Sequence, residues 1–329
     1  MSFTVTPPRR RRLQRSELAV PATSEQFFEK AAKSAADVVF LDLEDAVAPA
    51  MKTQARHNAV AALNDLDWGA KTMAVRVNSL DTEWALRDII EVVSHCPRLD
   101  LILLPKAGTA FDVQFVDKLI GGLEREQQRE KTIGIEVLIE TTLGLANVES
   151  IAASSERLEA MIFGVGDYSL DLQSLDLVFG TPNPAYAVLT AADDTGQRAR
   201  HWNDQWHFAL ARIANACRAH GLRAIDGPFT DYADADGYRA SASRAAALGF
   251  EGKWAIHPSQ IALANEIFTP TEAQISWARK ISRLIVDAGK EGKGAIGVDG
   301  VLVDFAHQKL AARILQRAGA APDREANSA

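Results

Sequence analysis

Two carboxylates stand at points where chemistry is easily assembled. Glu140 closes the apolar run 134-GIEVLIE-140, and Asp167 closes 160-AMIFGVGD-167 one strand-and-helix unit later. Acids brought to neighbouring strand ends repel each other unless one is protonated or a cation lies between them. With oxygen ligands and no accompanying His/Cys set, the fitting ion is Mg²⁺, which takes one or two carboxylates, keeps waters and leaves positions for substrate oxygens. A metal-free acid/base pair is the competing reading, and the spacing does not choose between them. Arg76 in 74-AVRVN-78 adds a planar fork of donors suited to a carboxylate or a developing oxyanion, although it could also pair with Glu44 or Asp45. A chelated cation beside an arginine fits a small α-keto acid whose carbonyl becomes an alkoxide during carbon–carbon chemistry.

These residues need elements to carry them to one place. Eight short β-like runs recur, at 16–22, 37–45, 72–79, 99–108, 134–140, 160–167, 223–229 and 253–259. Helical patterns lie between most of them, such as 23-TSEQFFEKAAKSAA-36 with its Thr/Ser cap and 110-AFDVQFVDKLIGGLEREQ-127. Near-continuous apolar strands separated by crossover-length helices predict an α/β fold with a parallel sheet. Eight such units predict a closed (β/α)8 barrel, with an open doubly wound sheet as the alternative. Glu44, Asp45, Arg76, Lys106, Glu140, Asp167, Asp226 and His257 then all fall at or just beyond C-terminal strand ends, the rim where such barrels assemble their chemistry. The GxG of 163-FGVGDY-168 lacks the third glycine of a dinucleotide fingerprint, and 201-HWNDQWHF-208 reads as core packing or a lid contact rather than a metal or aromatic cage.

Composition narrows the classes further. The chain has 329 residues, 47% hydrophobic and 24% charged, with a formal net charge of -7, so no basic excess is present to neutralise nucleic-acid phosphates. Only Cys96 and Cys217 occur, outside any CxxC pattern, which points away from disulfide frameworks and zinc knuckles and towards a reducing cytoplasm. The positive start 6-TPPRRRRLQR-15 is not followed by the apolar stretch of about 7–15 residues that an export signal needs. No apolar segment approaches the roughly 18 residues of a membrane span. The run Arg9 to Arg12 reads as a solvated basic tail, with a polyanion-binding arm as the alternative.

The segments 15-RSELAVPA-22, 37-DVVFLDLEDAVAP-49, 75-VRVN-78, 104-LPKAG-108, 139-IETTLG-144, 164-GVGD-167, 226-DGPFTD-231 and 252-GKWAIHPSQI-261 resemble, in order, the citrate-lyase β-subunit-like aldolases of the HpcH/HpaI superfamily. Within it, 201-HWNDQWHFALARIANACRAHG-221 and 298-VDGVLVDFAHQKLAARI-314 are most similar to the malyl-CoA/β-methylmalyl-CoA lyase branch. The resemblance implies a TIM barrel over 13–269, after a basic tail at 1–12, and a helical C-terminal extension at 270–329 that closes a neighbouring subunit's site in a homotrimer or homohexamer. It implies reversible joining of acetyl-CoA or propionyl-CoA to glyoxylate with Mg²⁺, Mn²⁺ being a possible substitute. Glu140 and Asp167 match the metal ligands, Arg76 the residue holding the keto-acid oxygens, and Glu44 and Asp45 the acids supporting both. Asp304 matches the catalytic acid/base, and Lys30 and Arg15 the CoA contacts. A thioesterase of the same scaffold, or a lyase for citramalyl-CoA or citryl-CoA, are the alternatives. Lys106, the residue on which a Schiff-base mechanism would rest, reads here as a site-lining cation. Two stretches differ from the branch: Ser24 stands where an arginine is usual, and Tyr168, Leu170 and Asp171 follow the metal aspartate.

Overall fold

The computed structural model describes residues 6–175 and 178–319. Residues 1–5 of the basic tail and 320–329 of the C-terminal extension lie outside them. The strands, in chain order, are β1 (Ser16–Pro21), β2 (Val38–Asp42), β3 (Thr72–Arg76), β4 (Leu101–Leu104), β5 (Gly134–Ile139), β6 (Leu158–Phe163), an outlying hairpin β7–β8 (Ala187–Leu189 and Arg200–Trp202), β9 (Arg223–Asp226), β10 (Gly252–Ala255) and a second hairpin β11–β12 (Ala295–Val298 and Val301–Asp304). Eight of them, in the order β1-β10-β9-β6-β5-β4-β3-β2, pair in parallel and close on themselves. These are the eight runs expected from the sequence, so the closed barrel holds and the open sheet does not.

The helices are α1 (Phe28–Ala32), α2 (Lys52–Asp65), α3 (Ala85–His95), α4 (Ala110–Glu126), α5 (Thr142–Ala146), α6 (Val148–Ala152), α7 (Val165–Asp171), α8 (His207–Ala219), α9 (Ala235–Ala247), α10 (Ser259–Phe268), α11 (Glu272–Lys290) and α12 (Phe305–Arg317). The helix expected over 23–36 is instead a 3-10 turn, Glu25–Phe27, followed by the short α1, and the Ser24 side chain makes no capping bond. By contrast α4 opens on a capping box in which Thr109 and Asp112 satisfy each other's backbone N–H groups, and it runs its expected length.

Strand periodicity sorts the barrel interior into three levels. Inward-facing Phe40, Ala74, Leu101, Leu103, Leu138, Ala160, Ile162, Ile225 and Trp254 fill the waist. Because side chains alternate along a strand, the residues two positions before and after a waist residue also point inward. On β5, Glu136 therefore lies below Leu138 and Glu140 above it, and both acids are buried. The lower level is sealed by the segment leading into β1. Gln14 Nε2 donates to Glu17 at 3.0 Å and to Glu136 at 2.9 Å, and Arg223 reaches Glu136 at 3.1 Å.

The arginine run belongs to this seal, which corrects its reading as a solvated tail. The Arg9 backbone N–H donates to Gly221 O at 3.0 Å and its guanidinium to Ala152 O at 3.3 Å, while Arg12 Nε bonds Glu159 at 2.7 Å. The Arg10 carbonyl accepts from Arg223 at 2.9 Å. Buried carbonyls and acids at the N-terminal strand ends need donors, and guanidinium groups supply them.

The chain divides into two compact units, Met1–Glu266 and Ile267–Ala329. The second has its own small core of Ile275, Ala278, Ile281, Val303, Ala311 and Leu315. Its β11–β12 stretch is a tight hairpin. Asp299 (φ 51) and Gly300 (φ 81) form the two-residue turn between β11 and β12. Positive φ at both central residues is what such a turn demands, and Asp-Gly is a preferred pair for it.

Candidate active site

Arg76 sits at the last position of β3, in register with Asp42 at the end of β2. Its guanidinium binds Asp42 in a fork, Nε to Oδ1 at 2.7 Å and Nη2 to Oδ2 at 2.6 Å. The remaining nitrogen, Nη1, faces Glu44 at 3.1 Å and Asp45 at 3.5 Å. Below it lie the faces of Phe40 and Trp254, with the guanidinium carbon 5.9 and 5.6 Å from their ring centroids. Burial alone would lower the arginine's pKa, but Asp42, Glu44 and Glu140 outweigh it and hold the guanidinium charged.

Glu140 stands directly after β5 and is buried. Its Oε1 accepts the backbone N–H of Lys106 at 2.8 Å, and Lys106 takes a left-handed backbone (φ 50) to present that donor. Gly164, opposite, leaves the room: a Cβ there would fall 2.4 Å from the Glu140 Cβ and 2.5 Å from its Oε2. Burial and the neighbouring Glu44 push the Glu140 carboxyl up to about 8, against the pull of Arg76. Glu44 is pushed up to about 7 by burial, with Arg76 pulling the other way. Lys106 Nζ lies 2.6 Å from Glu44 Oε1, 2.9 Å from Asp167 Oδ2 and 3.4 Å from Asp45 Oδ1. Burial opposes its charge, but Glu44 and its neighbours hold the ammonium charged, so it lines the site as a cation.

Glu44, Asp45, Arg76, Lys106, Glu140 and Asp167 are thus brought to one mouth, as the spacing predicted. Asp42, the principal partner of Arg76, was not singled out. Its inward parity with Phe40 and its place at a strand end were the available signals. Asp226 turns the other way, to Lys253 Nζ at 2.6 Å, and is structural. Trp206 packs with Tyr168 and Phe163, with ring centroids 6.2 Å away in each case, so the core reading of 201–208 holds there, whereas Trp202 is exposed on its hairpin.

Arg15 does not reach the mouth. It precedes β1, at the N-terminal end of the barrel, and is clamped on Asp37 by Nε at 2.8 Å and Nη2 at 2.9 Å. This corrects its expectation as a CoA contact, because strand polarity puts it at the end opposite the acids. Lys30 is exposed on α1, past the C-terminal end of β1, with Nζ 5.8 Å from the Phe27 ring centroid. Asp304 belongs to the second unit. It caps α12, accepting from Ala306 N–H at 3.0 Å and lying 2.9 Å from His307 Nδ1, and these bonds hold its carboxyl below the usual range.

Among the described residues no three His, Cys, Asp or Glu groups form a ready-made metal cage. The donors present nevertheless suit Mg²⁺. They are carboxylates without sulfur or imidazole, and the buried Glu44 Oε2 and Asp167 Oδ2 lack a well-aligned hydrogen bond. Such an ion needs only one or two carboxylates, with waters and substrate completing its shell.

Comparison with known proteins identifies the family. Residues 15–258 match the HpcH/HpaI aldolase/citrate lyase family. The chain is 45% identical over 319 residues to an L-malyl-CoA/beta-methylmalyl-CoA lyase of Rhodobacter capsulatus, covering 97% of this chain and 98% of that one. It is 34% identical over 306 residues to a (3S)-malyl-CoA thioesterase of Cereibacter sphaeroides, covering 93% and 95%. Among solved structures it is similar to the protein CitE from Mycobacterium tuberculosis in complex with magnesium, acetoacetate and coenzyme A, with 27% identity, a TM-score of 0.69, and coverage of 96% and 98%. A family match over most of the barrel, joined to a near full-length relative, leaves one assignment: this chain is a member of the HpcH/HpaI aldolase/citrate lyase family.

Proposed function

We propose that the protein is a Mg²⁺-dependent carbon–carbon lyase that reversibly cleaves L-malyl-CoA, and β-methylmalyl-CoA, to glyoxylate and acetyl-CoA or propionyl-CoA. The observation that carries this reading is a charged arginine, forked on Asp42, beside the paired acids Glu140 and Asp167 in a chain 45% identical to a lyase of that name. Glu140 and Asp167 would hold the ion. When bound, Mg²⁺ supplies a Lewis acid at the oxygen where charge builds up; Mn²⁺ is an alternative ion for the same oxygen donors.

Arg76 does the orienting. With two of its nitrogens fixed by Asp42, Nη1 can serve a glyoxylate oxygen at the cost of its longer contacts to Glu44 and Asp45. In cleavage the malyl hydroxyl releases its proton to solvent and the bond to the thioester α-carbon breaks, the hydroxyl oxygen becoming the carbonyl oxygen of glyoxylate. The electron pair passes to the thioester as an enolate, and Asp304 in its protonated form gives its proton to the α-carbon and is left ionised, the state its cap bonds favour. In synthesis the ionised Asp304 removes that proton. The thioester stabilises the enolate, so no Schiff-base lysine is needed, and Lys106 remains ion-paired.

Asp304 serves a neighbouring copy in this reading, within a homotrimer or homohexamer. Its support is the exposed apolar fringe around it, Val301, Leu302 and Phe305, on a compact unit separate from the barrel. Two inactive variants, Asp304→Ala and Glu140→Gln, should regain activity when mixed under subunit exchange. No recovery, with exchange verified by mass spectrometry, means that Asp304 serves its own barrel or none.

The compartment in this reading is the cytoplasm, supported by two free, buried cysteines and by the lack, among the described residues, of a helix long and apolar enough to cross a membrane. Glyoxylate release from malyl-CoA, β-methylmalyl-CoA and citramalyl-CoA tests the reaction. CoA released without glyoxylate would favour the thioesterase instead.

A further inference from the structure

Asp304 sits where β12 ends and α12 begins, and its carboxylate is held by its own unit before it meets anything outside it. Oδ1 accepts the Ala306 backbone N–H at 3.0 Å and lies 2.9 Å from His307 Nδ1. The Asp304 backbone N–H points to the same ring nitrogen at 3.3 Å, and the His307 backbone N–H reaches back to the carboxylate, which completes a capping box. Asp304 keeps 47% of its side-chain surface open and His307 32%, so the acid is restrained and accessible at once.

A capping box does not need an imidazole. The usual third residue is Glu or Gln, whose oxygen accepts the N-cap N–H, and the two other capping boxes among the described residues, at the starts of α4 and α11, use Asp112 and Gln274. An acid there would also suit the positive end of the helix, yet the first turn of α12 contains none. What imidazole adds is a donor. A carboxylate oxygen and a ring nitrogen 2.9 Å apart need a hydrogen between them, and with Asp304 ionised that hydrogen belongs to Nδ1. The bond it makes to Asp304 is the foremost reason that this carboxyl lies below the usual range. It also survives protonation of the acid, because a carboxylic acid protonated on Oδ2 keeps Oδ1 as its carbonyl acceptor.

We propose that His307 is a positioning residue for the carbon–carbon reaction: its Nδ1–H pins Oδ1 of Asp304 and thereby aims Oδ2 at the α-carbon with which the proton is exchanged. The inference rests on the acid/base reading of Asp304 and adds to it the group that orients the acid. His307 itself gains and loses no proton. In cleavage the Oδ2 proton passes to the α-carbon of the enolate and Asp304 is left ionised; in synthesis Oδ2 takes that proton back, with Oδ1 held by the same donor throughout. A carboxylate whose angle is already set does not have to be ordered at the moment of transfer.

A double-mutant cycle on malyl-CoA cleavage by the full-length protein tests this. His307→Ala is expected to lose roughly tenfold in kcat, the scale of one hydrogen bond to a charged group, with KM unchanged. Asp304→Asn should lose on the order of a hundredfold or more, as a general acid–base group does. Adding His307→Ala to it should cost no further rate, because His307 acts only through Asp304. His307→Gln, which keeps an N–H donor at the same place, should recover most of kcat. If His307→Ala fails to fold, His307→Glu takes its place in the cycle, since it keeps the capping box and removes the donor. Wild-type kcat in the folded donor-less variant, or an equal loss of rate in the Asp304→Asn background, would overturn the assignment. A fully active Asp304→Asn would overturn the acid/base reading together with it, whereas an inactive Asp304→Asn beside a fully active His307 variant removes the role of His307 alone.

Discussion

The two ends of the barrel are both lined with buried charge, and they differ in how that charge is balanced. At the N-terminal end the carboxylates Glu17, Asp100, Glu136 and Glu159 are matched by the cations Arg10, Arg12, Arg98, Lys131 and Arg223, with Gln14 bridging Glu17 and Glu136. At the C-terminal mouth five carboxylates, Asp42, Glu44, Asp45, Glu140 and Asp167, outnumber the cations near them, Arg76, Lys106 and the Lys52 that is bonded to the carbonyls of Leu43 and Glu44. The lower network is shut in by the segment leading into β1. The mouth keeps an excess of negative charge with two acids pushed up to about 7 and about 8, an imbalance that suits a divalent ion and an incoming keto acid. One strand, β5, contributes an acid to each end. A buried carboxylate is therefore not a sign of function; its surplus over nearby cations, at an end open to substrate, is.

The largest contrast should come from neutralising one acid at each end. Glu140→Gln or Asp167→Asn is expected to abolish turnover, by on the order of a thousandfold or more as both ion and alkoxide stabilisation go. Glu136→Gln should leave activity per folded molecule intact. Chelator treatment should silence the wild type reversibly, with activity regained on adding Mg²⁺. Full turnover in chelated protein would break the distinction between the two ends.

The arginines sharpen it further. Arg76→Lys keeps a charge but loses the fork on Asp42, and kcat should fall about a hundredfold, the scale of losing one oxyanion donor, with the melting temperature little changed. Arg223→Met breaks the lower network instead and should cost about 3–5 kcal/mol in denaturant unfolding, because it leaves carboxylates buried without their cation. Were Arg76→Lys to show near-normal kinetics, Arg76 would belong with Arg223 as a structural group. A smaller effect is expected from Gly164→Ala. Its methyl must displace the Glu140 stem, so Mg²⁺ affinity measured by calorimetry should drop roughly tenfold, within the usual cost of overpacking.

The mildest test is pH. Glu17 is raised well above its ordinary value by burial and by Glu136, and so takes up a proton in the folded state more readily than in the unfolded chain. Its contribution to stability is then fully present below the unfolded-state value near 4.5 and is lost as pH rises through the higher folded value. Unfolding free energies measured between pH 5 and 8 should fall with rising pH by at most about 1.4 kcal/mol per unit for this group. Glu17→Gln should flatten that slope, and an unaltered slope would mean that Glu17 does not take part.

By itself the sequence determined what local order can encode. Alternation and strand-to-helix spacing placed all eight barrel strands, and the residues at their C-terminal ends were readable as one rim because parallel strands share a direction. That placed Glu44, Asp45, Arg76, Lys106, Glu140 and Asp167 correctly at one mouth. Tertiary structure decided which charges belong to each other. Arg76 takes Asp42 as its main partner because β2 and β3 bring those two residues into register. Asp226 turns to Lys253 on the next strand, and Arg15 to Asp37 at the closed end. The arginine run looked like solvated tail, yet it is held by acceptors at Ala152, Glu159 and Gly221, far away in the chain. Periodicity is a property of neighbouring residues, so it survives in one dimension. Charge pairing depends on distances of a few ångströms between segments separated by scores of residues, and only closure of the barrel sets them.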